Sequence, residues 1–166
     1  MRALALLCLL ALACGGAAGP ARDAAAPPDG PPLTLPACPE PAAAYTYAAG
    51  DALVPLAPGA ELAIVIGFQG FQMSRVSLRT ASPLLPGRAI ETHVAVEGYA
   101  PLSNRAAEVT SQPVPGGHHQ SGEIDLFFND VPLAELAGKK AQIGLRAATE
   151  TCFARAEFEV LLVDGT

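Results

Sequence analysis

Sixteen prolines and sixteen glycines punctuate this 166-residue chain throughout, which disfavours long helices and suits many short strands joined by turns. From Tyr45 onward the apolar residues alternate with polar ones in short runs, the period of two that a half-buried strand requires. Strands are predicted over 52–56, 61–68, 71–80, 90–98, weakly over 106–111, then over 122–129, 141–148 and 153–163. Leu62, Ile64 and Ile66 share one flank. Val76 and Leu78 point inward with Arg75, Ser77 and Arg79 outward, and Ile90, Thr92, Val94 and Val96 oppose Glu91, His93 and Glu97. Ile124, Leu126 and Phe128 point inward, and Phe158, Val160 and Leu162 oppose Arg155, Glu157 and Glu159. The stretch 112–120 reads as a Pro/Gly-rich loop. Asp130 is placed to cap one helical turn over 131–137, with Gly138 ending it in the left-handed region.

The expected fold is therefore all-β: an immunoglobulin-like, two-sheet antiparallel sandwich of about seven strands with one short helical turn. Barrels of similar strand count stay open. The chain has no tryptophan, so only the architecture of that fold is expected and not the buried core of antibody domains. One domain is expected over 37–166, since the length suits one core and not two.

The first residues do not belong to that domain. Met1-Arg2 supplies a minimal positive start, residues 3–13 an apolar run too short to span a bilayer, and Ala11-Leu12-Ala13 a small-x-small cleavage pattern. Residues 1–13 thus read as a signal peptide. The run Leu10-Ala11-Leu12-Ala13-Cys14-Gly15 resembles a lipobox, which implies cleavage before Cys14 and a lipid on its thiol. The motif prefers leucine three residues before the cysteine where this chain has Ala11, so ordinary secretion is the alternative. Gly15 stands where an aspartate resembles an inner-membrane retention signal. The expected location is the bacterial cell envelope, anchored through Cys14, at the outer membrane rather than the inner.

Cysteine arithmetic agrees. Cys8 leaves with the signal, and lipidating Cys14 leaves Cys38 and Cys152, an even pair for an oxidising compartment. A disulfide between them would close a long loop, worth ~4 to 5 kcal/mol; two unrelated buried thiols are the alternative. Residues 14–36 carry the lipidated terminus and a low-complexity Ala/Pro/Gly tether without the side chains to build a core. The net charge of -6, made more negative by the loss of Arg2, excludes nucleic acid as an expected partner.

The most distinctive stretch is Gly67-Phe68-Gln69-Gly70-Phe71-Gln72-Met73, preceded by Pro55-Leu56 and Gly59-Ala60-Glu61-Leu62. Its plain reading is a tight turn or bulge. These motifs, over 51–80 and more loosely the last two strands, resemble a group of uncharacterised lipoproteins of myxobacteria and their relatives. The resemblance implies the fold and no activity. Where that group has a glycine this chain has Phe71, and where it has a histidine this chain has Met73.

Candidates for chemistry are few. A methionine thioether suits a soft ion such as cuprous copper, so Met73, His93, His118 and His119 are weak metal candidates. The alternative for each is bland: a gap-filling methionine, a surface histidine, and two histidines in an exposed loop. Glu123 and Asp125 lie on an outward flank. The chain has no Gly-x-Ser-x-Gly elbow, no phosphate loop and no dinucleotide fingerprint. No catalytic residue and no cofactor is expected. The favoured function is a non-catalytic envelope lipoprotein binding an envelope protein or glycan; the alternatives are a periplasmic copper-binding module and, least supported, a small hydrolase or an accessory subunit of one.

Overall fold

Alternation becomes strand where one flank is dry and the other wet, and the chain follows that rule over most of its length. The structure is a computed structural model, and it describes residues 34–47, 52–67, 69–128 and 131–166. The expected signal peptide, Cys14, most of the tether and Asp130 lie outside the described residues. Within them the chain is all-β, with strands β1 Ala43–Tyr47, β2 Leu53–Pro55, β3 Ala60–Ile66, β4 Gln72–Thr80, β5 Ala89–Val96, β6 Leu102–Glu108, β7 Ser111–Val114, β8 His118–Ser121, β9 Ile124–Phe127, β10 Lys140–Ala148 and β11 Phe153–Asp164. One four-residue helix, α1 Leu133–Leu136, precedes β10.

Hydrogen bonds join these strands into one mixed sheet along the path β2-β1-β4-β3-β11-β10-β5-β6, with β8 and β9 also on β4 and β7 beyond β8. Eleven strands form where about seven were expected. One pairing is parallel: Ala60–Ile64 of β3 runs beside Val160–Asp164 of β11. The last two residues of β3, Val65 and Ile66, then pair antiparallel with Met73 and Gln72 of β4. β3 thus carries the ladder from one half of the sheet to the other.

A single core lies behind both halves. Val94, Ile143 and Phe158 from β5, β10 and β11 share it with Val76, Leu126 and Leu62 from β4, β9 and β3, and Leu136 of α1 closes one side. The expected inward sets on β5, β9 and β11 are buried throughout. Ile66 keeps the parity of Leu62 and Ile64 but is 56% exposed, because it sits at the end of β3 beyond the β11 pairing. Ser77 was expected outward into solvent and is fully buried. Its hydroxyl donates to the Ser121 carbonyl at 2.7 Å and accepts from Gln120 Nε2 at 2.7 Å. β8 lies along β4 there and covers it.

Two further expectations change. The predicted loop 112–120 is the β7–β8 hairpin, paired from Ser111↔Ser121 to Val114↔His118. Its strands lack apolar alternation, and backbone pairing rather than burial defines them. The helical turn is shorter than predicted and begins after Pro132, which makes no side-chain cap; Gly138 does take the positive φ of +84° expected of it.

The Cys38–Cys152 disulfide is formed, across a separation of 114 residues. Around it the entering chain behaves as domain and not as tether: Phe153 N–H donates to Pro36 O at 2.7 Å, and Cys38 N–H donates to Phe153 O at 2.9 Å. Pro36 therefore belongs to the fold, a little ahead of the predicted boundary at 37. Replacing both cysteines by alanine is expected to lower unfolding stability by about 2 to 5 kcal/mol, read as a fall in the urea midpoint. An unchanged midpoint would mean that the cross-link adds nothing to the fold.

Candidate functional site

The outward flank of β5, β10 and β11 forms a depression of ≈ 790 Å³, open to solvent. Register lays its side chains out in three rows. Glu91, Arg146 and Arg155 cross the strands side by side, then His93, Gly144 and Glu157, then Ala95, Gln142 and Glu159. The central position of the central row is glycine, and the missing side chain makes the floor.

Nothing in the backbone demands that glycine. Gly144 has no positive φ, and a Cβ there would meet only the His93 Cβ, at 3.7 Å, which is ordinary contact. It is an open position in a strand, where glycine weakens packing unless something approaches closely.

The rim is partly fixed. Arg146 Nη1 donates to Glu91 Oε2 at 3.0 Å, and its guanidinium lies 3.6 Å from the centre of the Phe153 ring. Its Nε is enclosed and has no acceptor. On the far row Glu159 is occupied twice, by Lys140 Nζ at 3.0 Å and Gln142 Nε2 at 2.9 Å. Arg155 and Glu157 are exposed and form no side-chain ion pair or hydrogen bond with a described residue. The groove thus offers one braced arginine, one uncommitted arginine, one uncommitted carboxylate and an imidazole over a smooth floor. Glu91 and Glu157 are both open to solvent and on non-adjacent strands, without the enclosure that sets a general acid apart from its partner. The arrangement can hold a polar ligand.

The predicted metal candidates do not assemble. Met73 lies on the outward flank of β4 with Arg75, as its parity indicated, yet it is buried at 9% exposure rather than open. Its Sδ and Cε lie against Gly67, and its strand partners are Val65 and Phe127. His119 pairs with Thr80 at the other end of β4, ~23 Å along the strand from Met73. His118 is exposed and His119 half-buried on β8, while His93 borders the groove on β5. Among the described residues no three His, Cys, Asp or Glu side chains are grouped as a metal site would need. Glu123 and Asp125 face Arg75, at 3.6 and 3.9 Å. Cys14 is outside the described residues.

The Gly67–Phe71 stretch is a hairpin turn, with Gly67 N–H donating to Phe71 O at 2.7 Å and Gly70 N–H to Gly67 O at 2.9 Å. Gly70, at φ +78°, takes the left-handed position that such a turn requires. Phe71, 43% exposed, meets Phe127 edge to face at 6.1 Å. A second hollow, ≈ 260 Å³, adjoins the disulfide. The Thr80 and Thr149 hydroxyls beside it are already committed, to the Ser82 and Cys152 carbonyls at 2.7 and 2.9 Å.

Sequence reasoning had set Glu91, His93, Arg155 and Glu157 outward but had not joined them with Gly144 and Arg146. The signal was Gly144 itself, a glycine inside an otherwise regular strand pattern. No family model, no curated protein and no solved structure matches the chain. The groove's own chemistry is what bears on function.

Because the position is open, Gly144→Gln is expected to fold normally, with stability within about 1 kcal/mol of the parent. Gly70→Val, which forces a β-branched residue to positive φ, should lower stability by roughly 1 to 3 kcal/mol. Thermal unfolding of the two variants checks both; a comparable loss in Gly144→Gln would show that the floor is closed.

Proposed function

We propose that this chain is a non-catalytic lipoprotein of a bacterial cell envelope, in which a tethered β-domain binds an envelope glycan or protein through the β5–β10–β11 groove. The observation that carries the reading is the three-row layout around Gly144, where charged side chains stand uncommitted over a floor that neither backbone nor packing requires to be glycine. Binding needs such a surface, and catalysis needs more. The one hydroxyl residue of the lining, Thr92, is buried on the core-facing flank of β5 and so is not presented to the groove as a nucleophile.

The lipid anchor draws support from the cysteines. Cys38 and Cys152 occupy each other, so Cys14 is the unpaired cysteine of a mature chain cleaved after residue 13. The tether of residues 15–35 would hold the domain off the membrane, at the outer rather than the inner one.

We further propose that the ladder folds over as an immunoglobulin-like sandwich, β3 being the strand that passes between the two layers. β9 lies against β5 and β6 without pairing to either, and one core receives side chains from both halves of the path.

Two measurements test this function. Intact mass of the membrane-fraction protein should show a diacylglyceryl-sized addition that Cys14→Ser abolishes, with the latter released to the soluble fraction; an unmodified parent chain would overturn the anchor. Detergent-solubilised full chain should co-sediment with isolated cell envelopes, and Gly144→Gln, which fills the groove, should reduce that binding at least tenfold. Equal sedimentation of parent and variant would remove the groove from the function.

A further inference from the structure

The geometry points to a carboxylate-bearing saccharide, of the uronic-acid type, as the ligand of the β5–β10–β11 groove, held by Arg155 and Arg146 through its carboxylate. The inference rests on the groove being the binding surface and adds the chemistry of what enters it.

Arg146 and Arg155 are direct partners in the β10–β11 register. Like charges opposite each other on one flank destabilise a sheet, and an anion between them reverses the sign. Only one of the two is answered within the described residues. Glu91 takes Arg146, whereas no described carboxylate pairs with Arg155.

The braced member is prepared for a ligand. Phe153 below it and Glu91 beside it fix the Arg146 plane, so little side-chain freedom is lost when a second acceptor arrives. Phe153 is itself held at both backbone groups by Pro36 and Cys38. Gly144, one row away, leaves the space in which a ring can lie.

The remaining rim selects the class of anion. Glu91 and Glu157 stand on the same flank, so a dianionic phosphate would meet two carboxylates as well as two guanidinium groups. A monoanionic carboxylate matches the arginine fork with half that repulsion. The uncommitted Glu157 is an acceptor only and needs a donor on the ligand; Gln142 donates one Nε2 hydrogen to Glu159 and has its carbonyl oxygen as a further acceptor. Hydroxyl groups supply such donors, which makes the ligand a polyol as well as an acid. A neutral sugar would want an open aromatic plane to stack on; the lining has no aromatic ring besides His93, and Phe153 beside it already carries Arg146 on its ring.

The test is isothermal titration of detergent-solubilised full chain with oligogalacturonate, its methyl ester and an acidic peptide of matching charge. The free acid should bind, the methyl ester at least tenfold more weakly. Arg155→Gln should weaken binding of the acid roughly tenfold to a hundredfold, by loss of charge-assisted hydrogen bonds. Arg155→Lys, keeping charge without the fork, should fall between, and Gly144→Gln should abolish binding while its melting transition stays in place. Equal affinity for acid and ester, an unaffected Arg155→Gln, or binding of the acidic peptide alone would each overturn the inference. If oligogalacturonate fails to bind the parent while Gly144→Gln still loses envelope sedimentation, the ligand class is wrong and the groove remains the docking surface; loss of neither removes the groove itself.

Discussion

β4 is the strand on which the rest of the sheet depends, because both of its edges are paired and each edge is shared by two other strands. β3 takes Gln72 and Met73 and β1 takes Val76 to Arg79 on one side; β9 takes Met73 to Val76 and β8 takes Arg79 and Thr80 on the other. On its outward flank Arg75 stays half exposed against Glu123 and Asp125, whereas Ser77 is buried and needs partners inside the protein. Ser77 finds them in Ser121 and Gln120, whose Oε1 in turn accepts from Arg79 Nε at 2.8 Å. Arg79 then lies 4.2 Å from the centre of the Tyr45 ring on β1. Each member of this chain is satisfied by the next, the condition under which buried polar groups specify a register instead of weakening it. The network also seats the β7–β8 hairpin, which has little apolar surface of its own.

This explains which strands were legible in the sequence. β5, β9 and β11 alternate cleanly because one flank meets the core and the other meets water, so parity alone gives burial. On β4 parity gave the flank and not the cover. Ser77 and Met73 do stand on the outward flank with Arg75, but β8 closes over the first and the β3–β4 turn lies against the second. Ile66 shows the reverse, an inward position that runs past the end of its neighbour. β1 and the β7–β8 hairpin left no apolar signature: the first is short and begins with two alanines, and the second is built from His118, His119, Gln120 and a proline at position 113. Pro113 is tolerated because β7 pairs, among the described residues, with β8 alone.

The disulfide was legible by counting, since the cysteines of a chain read as exported must be accounted for. The groove was not, because its three rows draw on residues 91–95, 142–146 and 155–159, and only the pairing register places Arg146 beside Arg155 and Gly144 between His93 and Glu157. A sequence shows that each of these side chains points outward; it does not show which ones stand next to each other. That distinction separates the parts of this protein that periodicity could deliver from the parts that needed three dimensions. It also accounts for the failure of the metal set, whose members are distinctive as residue types but are dispersed along β4, β5 and β8.

Phe153 joins the two ends of the functional proposal. Its backbone receives the entering chain through Pro36 and Cys38, the neighbouring Cys152 makes that junction covalent, and its ring supports the guanidinium of Arg146. For a domain held by its N-terminus as proposed, a pull along the tether would reach the sheet first at Pro36 and then at Cys38, where the cross-link would pass it to the β10–β11 turn. Without that bond the load would fall on two hydrogen bonds at a strand end, which fray readily because few neighbours hold them. The first group to move would then be Phe153, and with it the braced arginine of the groove. A disulfide at this position would therefore do more than restrict the unfolded chain: under the proposed attachment it would hold Phe153, and with it the proposed binding surface, in place.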